Sequence, residues 1–209
     1  MHANPDLRVV LNWMINRSGS AISDVIPLES NSNMFNTTAP EFPLHVELEG
    51  RRVSTVVLPS FSGSQCRNGP YGAISSPKSS SGETHATCDT ALPGDHFIEA
   101  VQWIISHEQD IRDVMLESLI DHYKEMREVE IEYLEDANPD VVLPVIQKSA
   151  DLLPLCGLVA VHIDKLMDTG EPRYGIELGC NWDSDNGAGV RLTGLKVEAA
   201  GESDHSFMF

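Results

Sequence analysis

Apolar and polar residues alternate along the C-terminal part of the chain. The apolar positions are every second residue, namely Tyr174, Ile176, Leu178, Cys180 and Trp182. A period of two places these side chains on one face of a β-strand. Residues 183–187 then supply turn-forming Asp, Asn and Gly, Val190 and Leu192 restart the alternation, and residues 196–199 have the pattern of a third strand. The stretch therefore predicts an antiparallel meander with one buried face.

Two earlier regions have equally regular patterns. Leu44, Val46 and Leu48 alternate with polar residues before the turn at Gly50, and a β-branched run over residues 53–58 follows it, so residues 42–58 predict a β-hairpin. Residues 96–106 carry an apolar stripe at helical spacing, and Asp95 stands where it would cap the first turn. The side chains of that stripe are Phe97, Ile98, Val101, Ile104 and Ile105.

A longer helical pattern covers residues 107–136. Residues 106–109 have the Ser-x-x-Gln form of a capping box, and Asn138-Pro139 ends the pattern. Together these elements predict an α+β fold, in which an antiparallel sheet that includes the C-terminal meander packs against two central helices.

The domain organisation follows from where the patterns stop. Residues 1–40 are rich in Ser, Asn and Thr and show little periodicity, so they predict a loosely structured N-terminal arm. Residues 41–209 predict a single α+β domain. Within it, the composition of residues 60–93 predicts a Ser/Gly-rich loop.

The net charge of the chain indicates which classes of macromolecule it can bind. The 209 residues contain 14 Lys plus Arg and 32 Asp plus Glu, for a net charge of −18. Such an acidic chain repels the phosphates of nucleic acids, so no nucleic-acid partner is expected. The same charge attracts a basic protein, although it also serves simply to keep a protein soluble.

Part of this charge is concentrated near the end of the long predicted helix. Acidic side chains there oppose the helix dipole, so local stability does not explain their placement. A solvated helix face and a surface for a cationic partner both account for them. The residues predicted to contact a partner are Glu128, Glu130, Glu132, Glu135 and Asp136 from this helix, with Asp183 and Asp185 from the C-terminal turn.

The cysteines and the hydropathy pattern bear on the compartment. Four cysteines are scattered without a CxxC pair, and Cys156 and Cys180 lie within apolar patterns. This usage is typical of a reducing cytosol and requires neither a disulfide nor a metal or other cofactor. No run approaches the roughly 20 apolar residues that span a bilayer, and Asn12 interrupts the N-terminal apolar run of a would-be signal peptide. We therefore expect a cytoplasmic protein with no membrane association.

Three segments, in this order, carry a resemblance to a known family. They read VVLPSF at residues 56–61, SADLLPLCGLVAVHI at 149–163 and YGIELGCNWDSDNGAGVRLTGLKVEAAG at 174–201. The chain resembles the bacterial DUF6985 domain over roughly residues 42–209. That family ends in a Trp-Asp pair, a short acidic turn, a Gly-x-Gly-Val strand and a final Val-x-x-x-Gly-Gly. Here Ala200 replaces the first glycine of that last pair, and Asn186 stands where a His is common.

The resemblance implies a small bacterial cytosolic domain, some look-alikes of which occur as immunity proteins beside secreted toxins. It supplies no catalytic residues. We therefore expect a non-enzymatic protein that binds and neutralises a basic toxin. One alternative is a hydrolase or metal-dependent enzyme using His162, His205 and Asp183 or Asp204, and another is a structural or self-associating domain. The oligomeric state is not determined by the sequence.

Overall fold

The computed structural model describes residues 46–48, 50–62, 65–66, 78–79, 81–132, 138–183 and 185–209. The chain divides into two units, residues 1–40 and residues 41–209. The predicted N-terminal arm lies outside the described residues and stays a prediction. None of the described helices is long and apolar enough to cross a membrane.

Strands and helices occupy most of the described part of the second unit. The strands are β1 Val46–Leu48, β2 Arg51–Val57, β3 Gln65–Cys66, β4 Lys78–Ser79, β5 Glu83–Asp89, β6 Cys156–Leu166, β7 Pro172–Cys180, β8 Ala188–Thr193 and β9 Lys196–Gly201. The α-helices are α1 Gly94–Ser106, α2 Glu108–Ser118, α3 Ile120–Ile131 and α4 Pro139–Val142. Three short 3-10 helices are η1 Pro59–Phe61, η2 Ser149–Leu155 and η3 Ser203–Ser206.

Seven of the strands form one sheet in the order β1-β2-β5-β6-β7-β8-β9. Each neighbouring pair is antiparallel except β5 and β6, which are parallel. Parallel neighbours cannot be joined by a tight turn, so the chain between them must cross over the sheet. Residues 90–155 make that crossover, and the four α-helices of the described part of the chain lie within it together with η2. The α+β fold class is confirmed, as are the hairpin around Gly50 and the C-terminal meander.

The helices differ in detail from the sequence pattern. The predicted helix over residues 107–136 is two helices, α2 and α3, interrupted at Leu119, which keeps a right-handed helical conformation with φ −92° and ψ −5°. Helix α1 begins one residue before Asp95, with Pro93 at its N-cap and no side-chain cap. The predicted capping box at Ser106 is also wrong, because His107 is the N-cap of α2 and makes no side-chain cap bond. The Ser106 hydroxyl instead donates to the carbonyl of Trp103.

One central strand lies where the sequence predicted a loop. Strand β5 pairs with β2 on one side and with β6 on the other. Its residues Thr84, Ala86 and Cys88 are buried on the helix-facing side of the sheet. These small side chains alternate as a strand requires, but the Ser/Thr-rich composition around them masks the pattern.

The helix-facing core is centred on aromatic side chains. Trp182 and Tyr123 are fully buried and meet edge to face, with ring centroids 5.3 Å apart. The Tyr123 hydroxyl donates to the carbonyl of Pro144 at 2.6 Å. The indole N–H of Trp182, in contrast, has no acceptor among the described residues.

The opposite face of β7 is buried as well, which the alternation did not predict. Gly175, Glu177 and Gly179 lie on that face and are buried, because η3 crosses over β7 and β8. A Cβ atom on Gly175 would stand 1.8 Å from the carbonyl oxygen of Ser206. A Cβ atom on Gly189 would stand 2.6 Å from that of Ser203. The two glycines therefore allow the backbone of η3 to rest directly on the sheet.

Gly175→Ala tests this close approach. The added methyl group meets rigid backbone, so we expect the free energy of unfolding to fall by about 1–3 kcal/mol. Gly94→Ala is the matched control, since its Cβ would lie 3.8 Å from the Arg52 side chain in ordinary contact. Urea unfolding of both variants measures the difference. Equal stability of the two variants would contradict the seating of η3 on β7.

Candidate functional site

A line of polar side chains crosses the sheet beneath η3 and the residues that follow it. Thr87 of β5 and His162 of β6 are opposite each other, and His162 is opposite Gly175 of β7. Glu177 lies two residues beyond Gly175 and so shares its face of the strand. The sheet register therefore brings a hydroxyl, an imidazole and a carboxylate together from three adjacent strands.

These three side chains form a connected network. His162 Nε2 lies 2.8 Å from Glu177 Oε2, and His162 Nδ1 lies 3.2 Å from Thr87 Oγ1. The carboxylate accepts from Nε2–H, so in the neutral imidazole Nδ1 accepts from the Thr87 hydroxyl. Glu177 is 0% exposed and His162 is 9% exposed.

The residues that follow η3 cover this network. The ring of Phe207 meets the ring of His162 edge to face, with centroids 5.5 Å apart. The Phe209 ring lies under the guanidinium of Arg173, 5.5 Å from the ring centroid. Arg191 Nη1 donates to the carbonyl of Met208. A hydroxyl, an imidazole and a carboxylate are the groups of a nucleophilic triad, but here they lie under a covering segment and satisfy one another.

The sequence alone indicates only His162 of this network. Thr87 lies in a segment whose composition predicts a loop, and Glu177 alternates with the apolar residues of β7, which predicts an exposed position for it. The signal that could have revealed Glu177 is the glycine two positions away on either side of it. Glycine inside a strand indicates the close approach of another segment.

The other residues of the enzyme hypothesis are held in separate contacts. His205 Nδ1 lies 2.9 Å from Asp204 Oδ1. Asp183 accepts from the backbone N–H of Asn186 at 2.8 Å and fixes the turn between β7 and β8. Among the described residues, no hydrogen bond or ion pair joins His162 to any of these three. The described residues also contain no group of three or more His, Cys, Asp or Glu placed to hold a metal ion.

His122 of α3 is a second imidazole of interest, and its side chain is half-buried. Its Nε2 atom is buried and has no hydrogen-bond partner among the described residues. Burial lowers the pKa of His122, and the nearby carboxylates of Asp183, Glu202 and Glu125 oppose that shift. His205 adds to the lowering. The imidazole is therefore held in its neutral form next to an acidic region.

The most extended feature of the described surface is acidic. Exposed carboxylates recur every three or four residues along α2 and α3, and we name them the acidic stripe: Asp110, Asp113, Glu117, Asp121, Glu125, Glu128 and Glu132. At 100° per residue, those of α2 fall within about 60° of one face of that helix, and those of α3, with Glu132 at its C-cap, fall within about 60° of one face of theirs. The ion pairs made by the stripe are Arg112 with Asp113 at 2.6 Å and Lys124 with Asp121 at 3.4 Å.

Only some of the residues predicted to contact a partner belong to the acidic stripe. Glu128 and Glu132 belong to it, and Glu130 is half-buried beside it. Glu135 and Asp136 lie outside the described residues. Of the turn residues, Asp185 is exposed, whereas Asp183 is only 4% exposed and faces inward to Asn186. Asp183 is thus placed to hold the turn and not to meet a partner.

A groove lies beside the acidic stripe. It is lined by two carboxylates, one apolar side chain and two serines, namely Asp113, Val114, Glu117, Ser118 and Ser149, and its volume is about 650 Å³. Helix α2 supplies one wall and the start of η2 the other. The groove therefore has anionic and hydrogen-bonding groups above an apolar side chain.

Glu177→Ala tests the network beneath η3. It leaves the His162 Nε2–H buried without its acceptor, so we expect a loss of about 1–3 kcal/mol of unfolding free energy beyond that of Glu177→Gln. The glutamine keeps a carbonyl oxygen at the same place and serves as the matched control. Urea unfolding at neutral pH compares the two. Equal losses would show that His162 does not depend on this acceptor.

The lowered pKa of His122 predicts a pH dependence of stability. In the unfolded chain this histidine binds its proton near its ordinary pKa, about 6.5, and in the folded chain only at lower pH. Stability should therefore fall as the pH is lowered from about 7.5 to about 5.5. Because the pKa of His85 is also lowered by burial, His122→Gln should reduce this fall without abolishing it. Chemical unfolding across the pH range measures the slope, and an unchanged slope would contradict the assignment.

Comparison with known proteins identifies the family to which the chain belongs. No curated protein and no solved structure matches the chain. The family model described as "Domain of unknown function (DUF6985)" matches residues 82–208, from the start of the strand region around β5 through the residues that cover His162. That match includes the buried network, the acidic stripe and the meander, and the chain belongs to the DUF6985 family.

Proposed function

We propose that the protein is a non-catalytic binding domain that neutralises a basic protein, as an immunity protein neutralises a toxin. The observation that supports this function is the acidic stripe. Its seven carboxylates are all exposed, and the described residues give it only two cationic partners, Arg112 and Lys124. The stripe presents exposed anionic side chains on both α2 and α3 to a protein of opposite charge.

Folding does not account for this arrangement. Like charges three or four residues apart destabilise a helix by about 0.2–0.5 kcal/mol per pair. Glu128 and Glu132 also stand at the C-terminal end of α3, where the helix dipole disfavours negative charge. Asp110 and Asp121 lie in the first turns of their helices, where the helix dipole favours negative charge. The repeated like charges and the carboxylates at the end of α3 oppose helix stability, and a cationic partner gives them a role.

Charge on such a surface acts mainly on the rate of association. Complementary potentials steer two proteins together and raise the association rate constant by factors of about 10–10³ at low salt. Rapid capture suits a protein that must intercept a toxin. Net charge −18 disfavours nucleic acid as the target, because phosphates carry the same sign.

The groove beside the stripe suggests how the partner is held. Asp113 and Glu117 accept hydrogen bonds, and the guanidinium of an arginine offers five donors in a planar fork. Its aliphatic stem can lie against Val114. We therefore expect an arginine side chain of the partner to enter the groove. The choice of a toxin as the partner rests on the resemblance to domains that occur as immunity proteins.

Charge reversal tests the role of the stripe. The stripe variant carries Glu117→Lys, Glu125→Lys and Glu128→Lys. The control variant carries Glu83→Lys, Glu99→Lys and Asp168→Lys, which are exposed acids away from the stripe. Both variants change the net charge equally, so a difference between them reports position and not total charge.

The measurement begins with affinity capture from a lysate of the native host by the wild type and both variants. We expect one basic protein to be retained by the wild type and the control and lost by the stripe variant. With that protein purified, the association rate constant should fall by about tenfold or more for the stripe variant and for the wild type at high salt. Co-expression should protect cells from its toxicity.

Two results would overturn the proposal. One is capture of the same proteins by the wild type and the stripe variant. The other is a partner whose association rate is independent of salt. A basic partner that binds through the stripe but is harmless to cells would support binding and contradict the immunity role.

A further inference from the structure

Two cysteines face each other across neighbouring strands. Cys156 is the first residue of β6 and Cys180 the last residue of β7, and they are direct partners in the antiparallel register. The N–H of Asn181 donates to the carbonyl of Leu155 at 2.9 Å, which makes residues 155 and 181 a hydrogen-bonded pair. The two kinds of pair alternate along antiparallel strands, so Cys156 and Cys180 form a non-hydrogen-bonded pair.

This register matches the spacing that a disulfide needs. Non-hydrogen-bonded partners have Cα atoms about 4.5 Å apart and bring their side chains closer together than the other kind of pair. Disulfides occur at Cα separations of about 4.4–6.8 Å. Both side chains are on the helix-facing side, since Cys180 shares the face of Leu178 and Trp182. The pairing of strands thus gives the two cysteines a Cα separation that a disulfide can bridge.

Cys156 and Cys180 differ in their surroundings from Cys88, the third cysteine whose side chain the structure describes. Cys156 Sγ donates to the carbonyl of Leu152, and Cys180 Sγ donates to that of Asp183, each at 3.4 Å. Cys88 is opposite Ile163, seven residues further along β6 from Cys156. Cys88 is therefore a matched control within the same sheet.

We propose that Cys156 and Cys180 are a redox site that closes to a cross-strand disulfide on reaction with a low-molecular-weight disulfide. One cysteine thiolate attacks the small disulfide, forms a mixed disulfide with it and releases one small thiol. The second cysteine thiolate then attacks the protein sulfur of that mixed disulfide. The Cys156–Cys180 bond forms, the second small thiol leaves, and each cysteine has given up one proton and one electron.

Burial controls the rate of this reaction. The two residues are 1% and 2% exposed, and burial raises the pKa of the Cys180 thiol well above its ordinary value. The thiolate is the reacting form, so exchange requires local opening of the segments that cover the pair. A reducing cytosol keeps the pair as thiols, and the disulfide forms when small disulfides accumulate or when the chain is folding.

The test treats the full chain with oxidised glutathione in urea below the unfolding midpoint, followed by alkylation and mass spectrometry. We expect a product lighter by two hydrogen atoms, with two of the four cysteines still open to alkylation. Trypsin cuts after Lys148, Lys165, Arg173 and Arg191. It should release residues 149–165 linked to residues 174–191, and a reductant should separate them.

Variants and stability complete the test. Cys156→Ala and Cys180→Ala should each abolish the linked peptide, and Cys88→Ala should retain it. The loop closed by the bond is long enough that Tm should rise on the order of 5–10 °C in the oxidised protein. Four alkylatable cysteines after oxidation, or a linked peptide containing Cys88 or Cys66 instead, would overturn the proposal. The wild-type result decides this even where a variant fails to fold.

Discussion

The burial of strand β7 on both faces is the constraint on which the rest of the structure depends. Its apolar face, ending in Trp182, packs against the helices, and its other face lies under η3. A carboxylate on the second face therefore loses its water, and a buried charge is tolerated only when it is hydrogen-bonded. His162 provides that bond from β6, and Thr87 satisfies the imidazole from β5. One buried glutamate thus links the positions of three strands and of the segment that covers them.

Sequence reasoning could predict the elements whose pattern is carried by apolar side chains. The period-two face from Tyr174 to Trp182 and the helical stripe of α1 are of this kind. It could not predict the second buried face of β7, because Gly175 and Gly179 contribute no side chain to a hydropathy pattern. It also missed β5, where Thr84, Ala86 and Cys88 are too small and too polar to stand out from a Ser/Thr-rich neighbourhood. Both errors concern contacts made by backbone and small residues, which depend on the sheet order.

For the acidic residues, too, some features follow from the sequence pattern and others only from the three-dimensional structure. Their number is evident from composition and their spacing follows from the predicted helix over residues 107–136, but which of them are exposed depends on how α2 and α3 pack. Asp183 and Asp185 are two positions apart in one turn, yet the first caps Asn186 from the interior and the second is exposed. A turn has no fixed periodicity, so spacing alone could not separate a structural carboxylate from a surface one. The spacing of residues along a helix does separate the two kinds of carboxylate, and it extends the anionic surface upstream to Asp110.

The acidic groove and the cysteine pair are connected through one short element. Ser149 at the start of η2 lines the groove, and Leu155 at its end directly precedes Cys156. Leu152 and Leu155 are buried, so the second half of η2 is held in the core. A bond between Cys156 and Cys180 would further fix the end of η2 to the end of β7, two residues before Trp182. Because the opposite end forms a wall of the groove, the same bond would limit how far that wall can move when an arginine side chain enters. The proposed redox pair and the proposed partner groove therefore lie at opposite ends of η2, although their chemical groups are separate.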